Sequence, residues 1–202
     1  ILSGLVGSEM CIRDRLYTGL VAFYMTRKLA ESEVEKARLA AQDMLTGVPN
    51  RLLFTLQVEE EIARMQRYGG DFALLYLDFD RFKEVNDTFG HDGGDILIIA
   101  AARRIQSVIR SSDQLARFGG DEFALLQVQV KSLHDCEILA ERIISAMRAP
   151  FEIRDQKINI GISIGIALCR NGNMDRMELM RRADLALYRA KHQGRGHFVF
   201  FD

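Results

Sequence analysis

The chain has 202 residues, which is enough for one domain of ordinary size and an appendage. Its 27 Lys and Arg residues nearly balance its 28 Asp and Glu residues, so the formal net charge is −1. No overall positive field attracts polyanions, which argues against a nucleic-acid-binding surface and requires a local site for any anionic ligand. The three cysteines follow no metal or disulfide pattern and are typical of a reducing compartment.

The first 42 residues are predicted to lie outside the main domain. Residues 1–15 show no hydrophobic period and resemble translated adapter sequence, so they are excluded from the fold prediction as non-native or disordered. Leu16–Thr26 is apolar but shorter than the roughly 20 residues that cross a bilayer. It is interpreted as the end of a truncated membrane helix, with a buried or fraying helix end as the alternative. Arg27 then marks the cytoplasmic side, and Lys28–Gln42 is predicted to be a linker helix.

The main domain, residues 43–202, is predicted to open with a turn and a helix. Asp43–Arg51 reads DMLTGVPNR, in which Asn50 can cap the helix that follows. Apolar residues then recur at spacings of four, four and three, which predicts a helix that Gly69-Gly70 ends. These apolar residues are Phe54, Val58, Ile62 and Met65.

A buried strand is predicted next. Phe72–Phe79 is apolar on both faces, as expected of a central strand that helices cover on both sides. It runs into Asp78-Phe79-Asp80, where the two-residue period of a strand places both carboxylates on one face. Arg81–Gly94 is polar and is predicted to be a loop, and a helix is predicted from Asp95 to Arg110.

Two apolar runs joined by glycines predict a β-hairpin. Leu115–Phe118 and Phe123–Val130 flank Gly119-Gly120, and glycine reaches positive φ without a steric clash. Asp121 and Glu122 follow the glycines. Neighbouring carboxylates repel each other unless a cation lies between them, so the tip is either an ordinary charged turn or part of a metal site.

The remaining chain predicts two helices and two strands. The helices lie near His134–Arg148 and Met177–His192, and His197–Phe201 is the closing strand. Lys157–Leu168 alternates strictly and is predicted to be one strand with isoleucines on one face. The opposite face carries small or polar residues, which suits close packing of a helix.

The order of elements over Phe72–Leu168 predicts an α+β fold. Strand, helix, strand, strand, helix, strand is the split βαβ, ferredoxin-like palm, with a mostly antiparallel sheet flanked by helices. The right-handed crossover leaves a gap that the third strand fills in antiparallel orientation. The end of the first strand then lies beside the start of the third, so Asp78 and Asp80 are expected next to Asp121 and Glu122.

Such a cluster of oxygen ligands favours Mg²⁺, or Mn²⁺, which shares its coordination with water and substrate phosphates. Two ions in one site suit in-line attack of a hydroxyl group on a phosphate. The residues alone therefore indicate a palm for nucleotidyl transfer or cyclisation.

Three motifs resemble the GGDEF family, the bacterial diguanylate cyclases. They are DMLTGVPNR at Asp43–Arg51, DFDRFKEVNDTFGHDGGD at Asp78–Asp95 and RFGGDEF at Arg117–Phe123. The resemblance implies a homodimer whose GTP-loaded domains face each other and condense two GTP into cyclic di-GMP and two pyrophosphates. The alternative is an inactive module that binds GTP or cyclic di-GMP as a receptor or dimerisation domain. A membrane-tethered scaffold is a third hypothesis, but it leaves the carboxylates unexplained.

The resemblance also implies site residues. Asp78, the carbonyl group of Phe79, Asp121 and Glu122 would bind two metal ions, and Asp121, assisted by Glu122, would activate the 3′-hydroxyl group. Each implied substrate residue has an ordinary structural alternative, such as packing, a turn, a helix N-cap or a helix C-terminus. The implied substrate residues are Phe82, Lys83, Asn86, His91, Asp95, Gly119, Gly120, Lys191 and Arg195.

A product-inhibition site is implied as well. Arg110-Ser111-Ser112-Asp113 fits RxxD and begins nine positions before Gly119, an offset that matches the family's inhibitory site. Arg142 would be a second arginine for the same ligand, at a spacing one residue from the family's. The resemblance further implies a cytoplasmic domain tethered to the inner face of a bacterial plasma membrane through the truncated N-terminal helix alone.

Overall fold

The computed structural model describes residues 41–201 together with Tyr24, Arg27 and Lys28. The chain divides into two units, Ile1–Ala40 and Ala41–Asp202, and the second is described below. The predictions for residues 1–15, for the membrane-helix remnant and for most of the linker helix lie outside the described residues. Gln42, at the end of the predicted linker helix, instead forms a β-bridge with Pro49. In the part of the chain that is described, no helix is long and apolar enough to cross a membrane.

The helices and strands of the second unit follow one another along the chain in this order. They are α1 (Arg51–Tyr68), β1 (Asp71–Phe79), α2 (Phe82–Val108), β2 (Gln114–Gly119), β3 (Glu122–Val130), α3 (Leu133–Met147), β4 (Phe151–Ile153), β5 (Gln156–Ile158), β6 (Ile162–Arg170), α4 (Arg176–His192) and β7 (Phe198–Phe200).

The central sheet has the strand order β2-β3-β1-β6-β7. All neighbouring strands are antiparallel except β6 and β7, and β4 pairs with β5 in a separate hairpin. Strand β3 lies between β1 and β2, as the crossover argument requires. In this register Asp78 lies opposite Glu122 on β3 and opposite Ser163 on β6. The predicted α+β, ferredoxin-like palm is confirmed.

Apolar side chains fill both faces of the sheet. Helices α2 and α3 pack on the face that carries Leu75 and Leu77, and α1 and α4 pack on the face that carries Phe72 and Leu74. The small face predicted for the sixth strand is confirmed at Gly165. A Cβ atom there would lie 2.1 Å from the backbone nitrogen of Leu187, so α4 approaches β6 more closely than a side chain would allow.

The loop predicted for Arg81–Gly94 is wrong, because this stretch is helical. Phe82 and Val85 are one turn apart and both buried, so they anchor a short first segment of α2 against the sheet. Gly90, at φ 72°, then kinks the helix before its second segment. A turn at Asn86 and an N-cap at Asp95 are therefore excluded as structural roles, since both residues lie inside α2.

The single strand predicted for Lys157–Leu168 is also wrong. The alternation runs through two strands, β5 and β6, with a break at residues 159–161. Strand β1 ends at Phe79 opposite Ile162, so the regular pairing of the sheet stops there, and one hydrogen bond from Asp80 to Gly161 follows it. The β4–β5 hairpin was not predicted. Its turn uses Arg154 and Asp155 at positive φ, without the glycine that signals such a turn in sequence.

Candidate active site

The tip of the β2–β3 hairpin is held in place by one arginine. Gly119 and Gly120 have φ values of 138° and 51°, which let the chain reverse between the strands. The guanidinium group of Arg117 donates to the carbonyl oxygen of Gly120 at 2.8 and 3.0 Å. It also donates to both carboxylate oxygens of Asp43, at 3.0 and 3.1 Å. The hairpin tip is thereby fastened to the entry turn of the domain.

Asp43 is suited to this contact because its charge is compensated. Burial raises the pKa of the carboxyl group, but the hydrogen bonds from Thr46 and Arg117 together lower it by more. The pKa of Asp43 therefore lies below its ordinary value. Sequence reasoning missed this pair. The two residues are 74 positions apart, and each merely opens a motif that was interpreted separately.

Asp78, Asp121 and Glu122 come together at the end of β1, as predicted. Asp78 is only 7% exposed. Burial raises the pKa of Asp78 to about 6, and the negative charges of Asp121 and Glu122 raise it too, while Lys191 opposes both effects. The Lys191 ammonium group lies 2.6 Å from Asp78 Oδ2. The site therefore contains a buried carboxylate that needs a cation, and here the cation is Lys191.

These residues fit a divalent ion that shares its coordination with a substrate. Within residues 41–201, no three His, Cys, Asp or Glu side chains are grouped closely enough to hold an ion by themselves. Asp78 would supply a buried carboxylate oxygen, and the tip carries further carboxylates beside it. Mg²⁺ and Mn²⁺ suit such a partial, oxygen-only set, because they retain sites for phosphates and water.

Asp80 has different hydrogen-bond partners from Asp78. Its carboxylate accepts hydrogen bonds from the Ser163 hydroxyl group and from the backbone N–H of Gly196, at 2.6 and 3.0 Å. Strand β1 ends at Phe79, so Asp80 lies in the turn that follows, and its carboxylate is held there while Asp78 lies beside the hairpin carboxylates. Sequence reasoning expected both there.

The implied base-reading pair lies on the two segments of α2. Asn86 is on the first segment and half-buried, and Asp95 is exposed on the second. A Cβ atom on Gly94 would lie 2.0 Å from Asn86 Oδ1, so the kink brings the Asn86 amide against the backbone just before Asp95. Phe82 is buried, 6.1 Å from the Phe79 ring between centroids, and serves packing. Lys83 and His91 are exposed.

The implied phosphate-binding cations lie at the end of α4 and in the turn that follows. Lys191 is in the last turn of α4, and Arg195 is exposed at φ 64° between Gly194 and Gly196. Lys191 reaches the candidate active site through its contact with Asp78.

The residues of the implied inhibitory site lie at the opposite end of the sheet. Asp113 precedes β2 and is 7% exposed. One carboxylate oxygen accepts the backbone N–H of Arg110 at 3.1 Å, and the other, Oδ1, is buried with no hydrogen-bond partner in the described chain. Burial raises the pKa of Asp113, while the backbone amides of Arg110 and Val128 and the charges of Arg110 and Arg142 oppose the rise. Arg110 thus contacts Asp113 directly, and Arg142 acts on it through its charge.

Comparison with known proteins shows the family to which the chain belongs. The family model "Diguanylate cyclase, GGDEF domain" matches residues 40–197. The chain is 41% identical over 178 residues to the bifunctional diguanylate cyclase/cyclic di-GMP phosphodiesterase MucR of Pseudomonas aeruginosa. It is 37% identical over 170 residues to the diguanylate cyclase TpbB of the same organism. The chain belongs to the GGDEF-domain family.

Solved structures show the same fold. The isolated GGDEF domain of TpbB matches with a TM-score of 0.75 at 36% identity, covering 80% of this chain and 94% of that one. The coiled coil and GGDEF domain of DgcB from Caulobacter crescentus, in complex with cyclic di-GMP, matches with a TM-score of 0.80 at 29% identity, covering 89% and 95%. The matched region is 88% of this chain but 26% of MucR, and 84% of this chain but 39% of TpbB.

Proposed function

We propose that this chain is a diguanylate cyclase, which condenses two GTP into cyclic di-GMP and two pyrophosphates. The observation that carries the proposal is the meeting of Asp78 with the Asp121-Glu122 tip, where a buried carboxylate lies beside two others and an exchangeable cation. Receptor-type modules do not need this set of acids, whereas phosphoryl chemistry does.

The proposed site divides the substrate between two regions. The guanine base would lie near Asn86 and Asp95, because a carboxylate accepts from guanine N1–H and N2–H and an amide serves the remaining edge. The triphosphate would extend towards Lys83, Lys191 and Arg195, with His91 near the ribose or phosphates. Gly119 and Gly120 carry no side chain, so the substrate can approach the hairpin backbone.

The metal would be held by Asp78, the carbonyl oxygen of Phe79, Asp121 and Glu122. Bound there, one or two Mg²⁺ or Mn²⁺ ions would neutralise the α-phosphate and the departing pyrophosphate. When the ion binds to Asp78, the Lys191 ammonium group would leave this carboxylate and contact the substrate phosphates instead. The reason is that one carboxylate oxygen cannot bind the metal ion and the ammonium group equally well.

The reaction needs two copies of the domain. The 3′-hydroxyl group of the GTP on one domain would attack the α-phosphorus of the GTP on the other. The Asp121 carboxylate, assisted by Glu122, would accept the hydroxyl proton as the new P–O bond forms and the bond to pyrophosphate breaks. A second attack in the opposite direction closes the ring, so a homodimer is part of the proposal.

Product would inhibit at Arg110, Asp113 and Arg142. Asp113 Oδ1 is buried and has no hydrogen-bond partner among residues 41–201, so it suits a guanine N–H donor. The arginine forks suit phosphate or a guanine edge. This support is independent of the motif spacing. In the complete protein we propose a cytoplasmic domain tethered to the membrane through its N-terminal side.

A second candidate is a module that binds GTP or cyclic di-GMP without turnover. The chain is also 34% identical over 177 residues to a protein named cyclic di-GMP phosphodiesterase NbdA, so similarity to this region does not by itself imply cyclase activity.

The deciding experiment incubates the purified chain with GTP and Mg²⁺ and separates the products by chromatography. Formation of cyclic di-GMP and pyrophosphate in a one-to-two ratio supports the cyclase. Tight binding of either nucleotide with no product over an extended incubation, in protein shown to be dimeric, supports the binding module instead.

A further inference from the structure

Both carboxylate oxygens of Asp80 are occupied by protein donors. Oδ1 accepts the hydroxyl hydrogen of Ser163 at 2.6 Å, and Oδ2 accepts the backbone N–H of Gly196 at 3.0 Å. The Gly196 N–H also lies 3.3 Å from the Ser163 hydroxyl oxygen. Carboxylate, hydroxyl group and amide therefore form a closed cluster, hereafter the Asp80 cluster. Its Ser163 member is fully buried, so water cannot readily replace it.

The backbone around this carboxylate leaves room for it. The N–H of Asp80 donates to the carbonyl oxygen of Gly161 at 2.9 Å. A Cβ atom on Gly161 would lie 2.5 Å from Asp80 Oδ2, so a side chain at that position would displace the carboxylate. The Asp80 cluster thus joins the end of β1, the segment entering β6 and the turn after α4.

That turn carries Arg195, which the proposed function assigns to the phosphates. Arg195 has a φ of 64°, a left-handed conformation that a non-glycine residue adopts at an energetic cost. Its N–H donates to the carbonyl oxygen of Ala190 at 3.2 Å, and the next N–H is the one that Asp80 accepts. The strained residue is therefore fixed on one side by α4 and on the other by the Asp80 cluster.

We propose that Asp80 is a positioning residue rather than a metal ligand. It holds the Gly194–Gly196 turn so that Arg195, and with it the end of α4 that bears Lys191, meets the substrate phosphates. The assignment to phosphates rests on the proposed function, whereas the tether itself does not. A carboxylate serves here because it accepts two hydrogen bonds from two different segments and presents no donor that would repel them.

The test compares Asp80→Ala, Asp80→Asn and Ser163→Ala with wild type. The matched control is Asp87→Asn, which removes the same charge from an exposed aspartate in the first segment of α2. Asp80→Ala should raise KM for GTP by about tenfold or more, the effect of losing hydrogen bonds to a charged group, with kcat changed far less. Ser163→Ala should raise KM by a smaller factor, and Asp87→Asn should leave both constants unchanged.

Asp80→Asn separates positioning from metal binding. The amide can accept from the Gly196 N–H and donate to the Ser163 hydroxyl oxygen, so most of the KM effect should be rescued. A metal ligand would behave otherwise, because the neutral amide lacks the charge. The affinity for Mn²⁺ can be measured by titrating the protein with Mn²⁺ alone and recording the spectroscopic signal of the free ion. Asp80→Asn should have the same Mn²⁺ affinity as wild type.

Hydrogen exchange of the Gly196 amide tests the tether without any turnover. The amide should be protected in wild type and exchange at least about tenfold faster in Asp80→Ala, while amides in β1 stay protected. If wild type makes no cyclic di-GMP but Gly196 behaves in this way, the tether stands and the proposed function fails. The proposal is wrong if Asp80→Asn loses Mn²⁺ affinity, if Asp80→Ala leaves KM unchanged, or if Gly196 exchange does not respond.

Discussion

Two aspartates at opposite ends of the sheet have the same exposure and different partners. Asp78 and Asp113 are each 7% exposed, and burial raises the pKa of both. Asp78 is paired with the long side chain of Lys191, which comes from another helix. Asp113 is held by the backbone N–H of Arg110 in its own turn, and its second oxygen has no partner in the described chain.

The difference in partners indicates what kind of ligand each end of the sheet can bind. A carboxylate balanced by a flexible ammonium group can exchange that cation for a metal ion without leaving a buried charge alone. A carboxylate fixed by its own backbone, with one oxygen free of hydrogen bonds, accepts a donor such as a guanine N–H. Burial alone therefore predicts neither role, and the nature of the partner decides.

The largest expected effect is at the hairpin tip. Asp121→Asn should reduce cyclic di-GMP formation by about 10²- to 10⁴-fold, because a proton acceptor and ligand charge is lost. The fold should be kept, since the substitution is nearly isosteric at a turn. The measurements are product formation and the thermal unfolding midpoint. Full activity with unchanged Mg²⁺ dependence would contradict the site assignment.

The free energy of unfolding should depend on pH because Asp78 titrates with a raised pKa. Its pKa of about 6 in the metal-free fold lies above the ordinary 3.8, so the ionised group destabilises the fold above pH 6. This penalty is relieved as the pH falls through 6 towards 4. Asp78→Asn should therefore gain up to about 3 kcal/mol of unfolding free energy relative to wild type at neutral pH, and this gain should disappear near pH 4.

The measurement is urea unfolding of both proteins, freed of metal, at several pH values. Asp113→Asn sharpens the comparison, because the raised pKa of Asp113 predicts a pH dependence of the same sign. A difference between Asp78→Asn and wild type that stays constant from neutral to acid pH would refute the burial argument.

Base selection is expected to depend on Asp95. Asp95→Asn removes the charge and replaces one of the two carboxylate oxygens proposed to accept guanine N1–H and N2–H with an NH2 donor, so the preference for GTP over ATP should fall by an order of 1–3 kcal/mol. The ratio of kcat/KM for the two nucleotides is the quantity to measure. Asp92→Asn, an exposed neighbour outside the proposed base site, is the control and should discriminate as wild type does. An unchanged preference in Asp95→Asn would remove Asp95 from the site.

The smallest expected effect on turnover is at the other end of the sheet. Arg110→Ala should leave the initial rate nearly intact and weaken inhibition by cyclic di-GMP by about tenfold or more, because the bidentate arginine contact is lost. Inhibition of wild type should be non-competitive, since this end is a strand length from Asp121. Initial rates with added cyclic di-GMP at several GTP concentrations measure both. Inhibition that GTP fully overcomes would show that the ligand binds elsewhere.

The sequence by itself determined the central sheet and the meeting of its carboxylates. Doubly apolar runs mark buried strands, glycines mark the hairpin, and the handedness of crossovers leaves one position for β3. Asp78, Asp121 and Glu122 were therefore placed together from local pattern and topology alone. Arg110, Asp113 and Arg142 were predicted to be an inhibitory site from the family resemblance, and in the structure the charge of Arg142 lowers the pKa of Asp113.

Only the tertiary structure decided which polar groups are partners. The first segment of α2 reads as a polar loop because two buried residues, Phe82 and Val85, make too short a pattern to reveal a helix. The two-residue period predicts Asp80 beside Asp78, but β1 ends at Phe79 and the Asp80 carboxylate accepts hydrogen bonds from Ser163 and Gly196. Arg117 donates a hydrogen bond to Asp43, which is 74 positions away in the sequence. Hydrogen bonds of this kind depend on distance and angle between segments that no local period relates, so they appear only when the chain is folded.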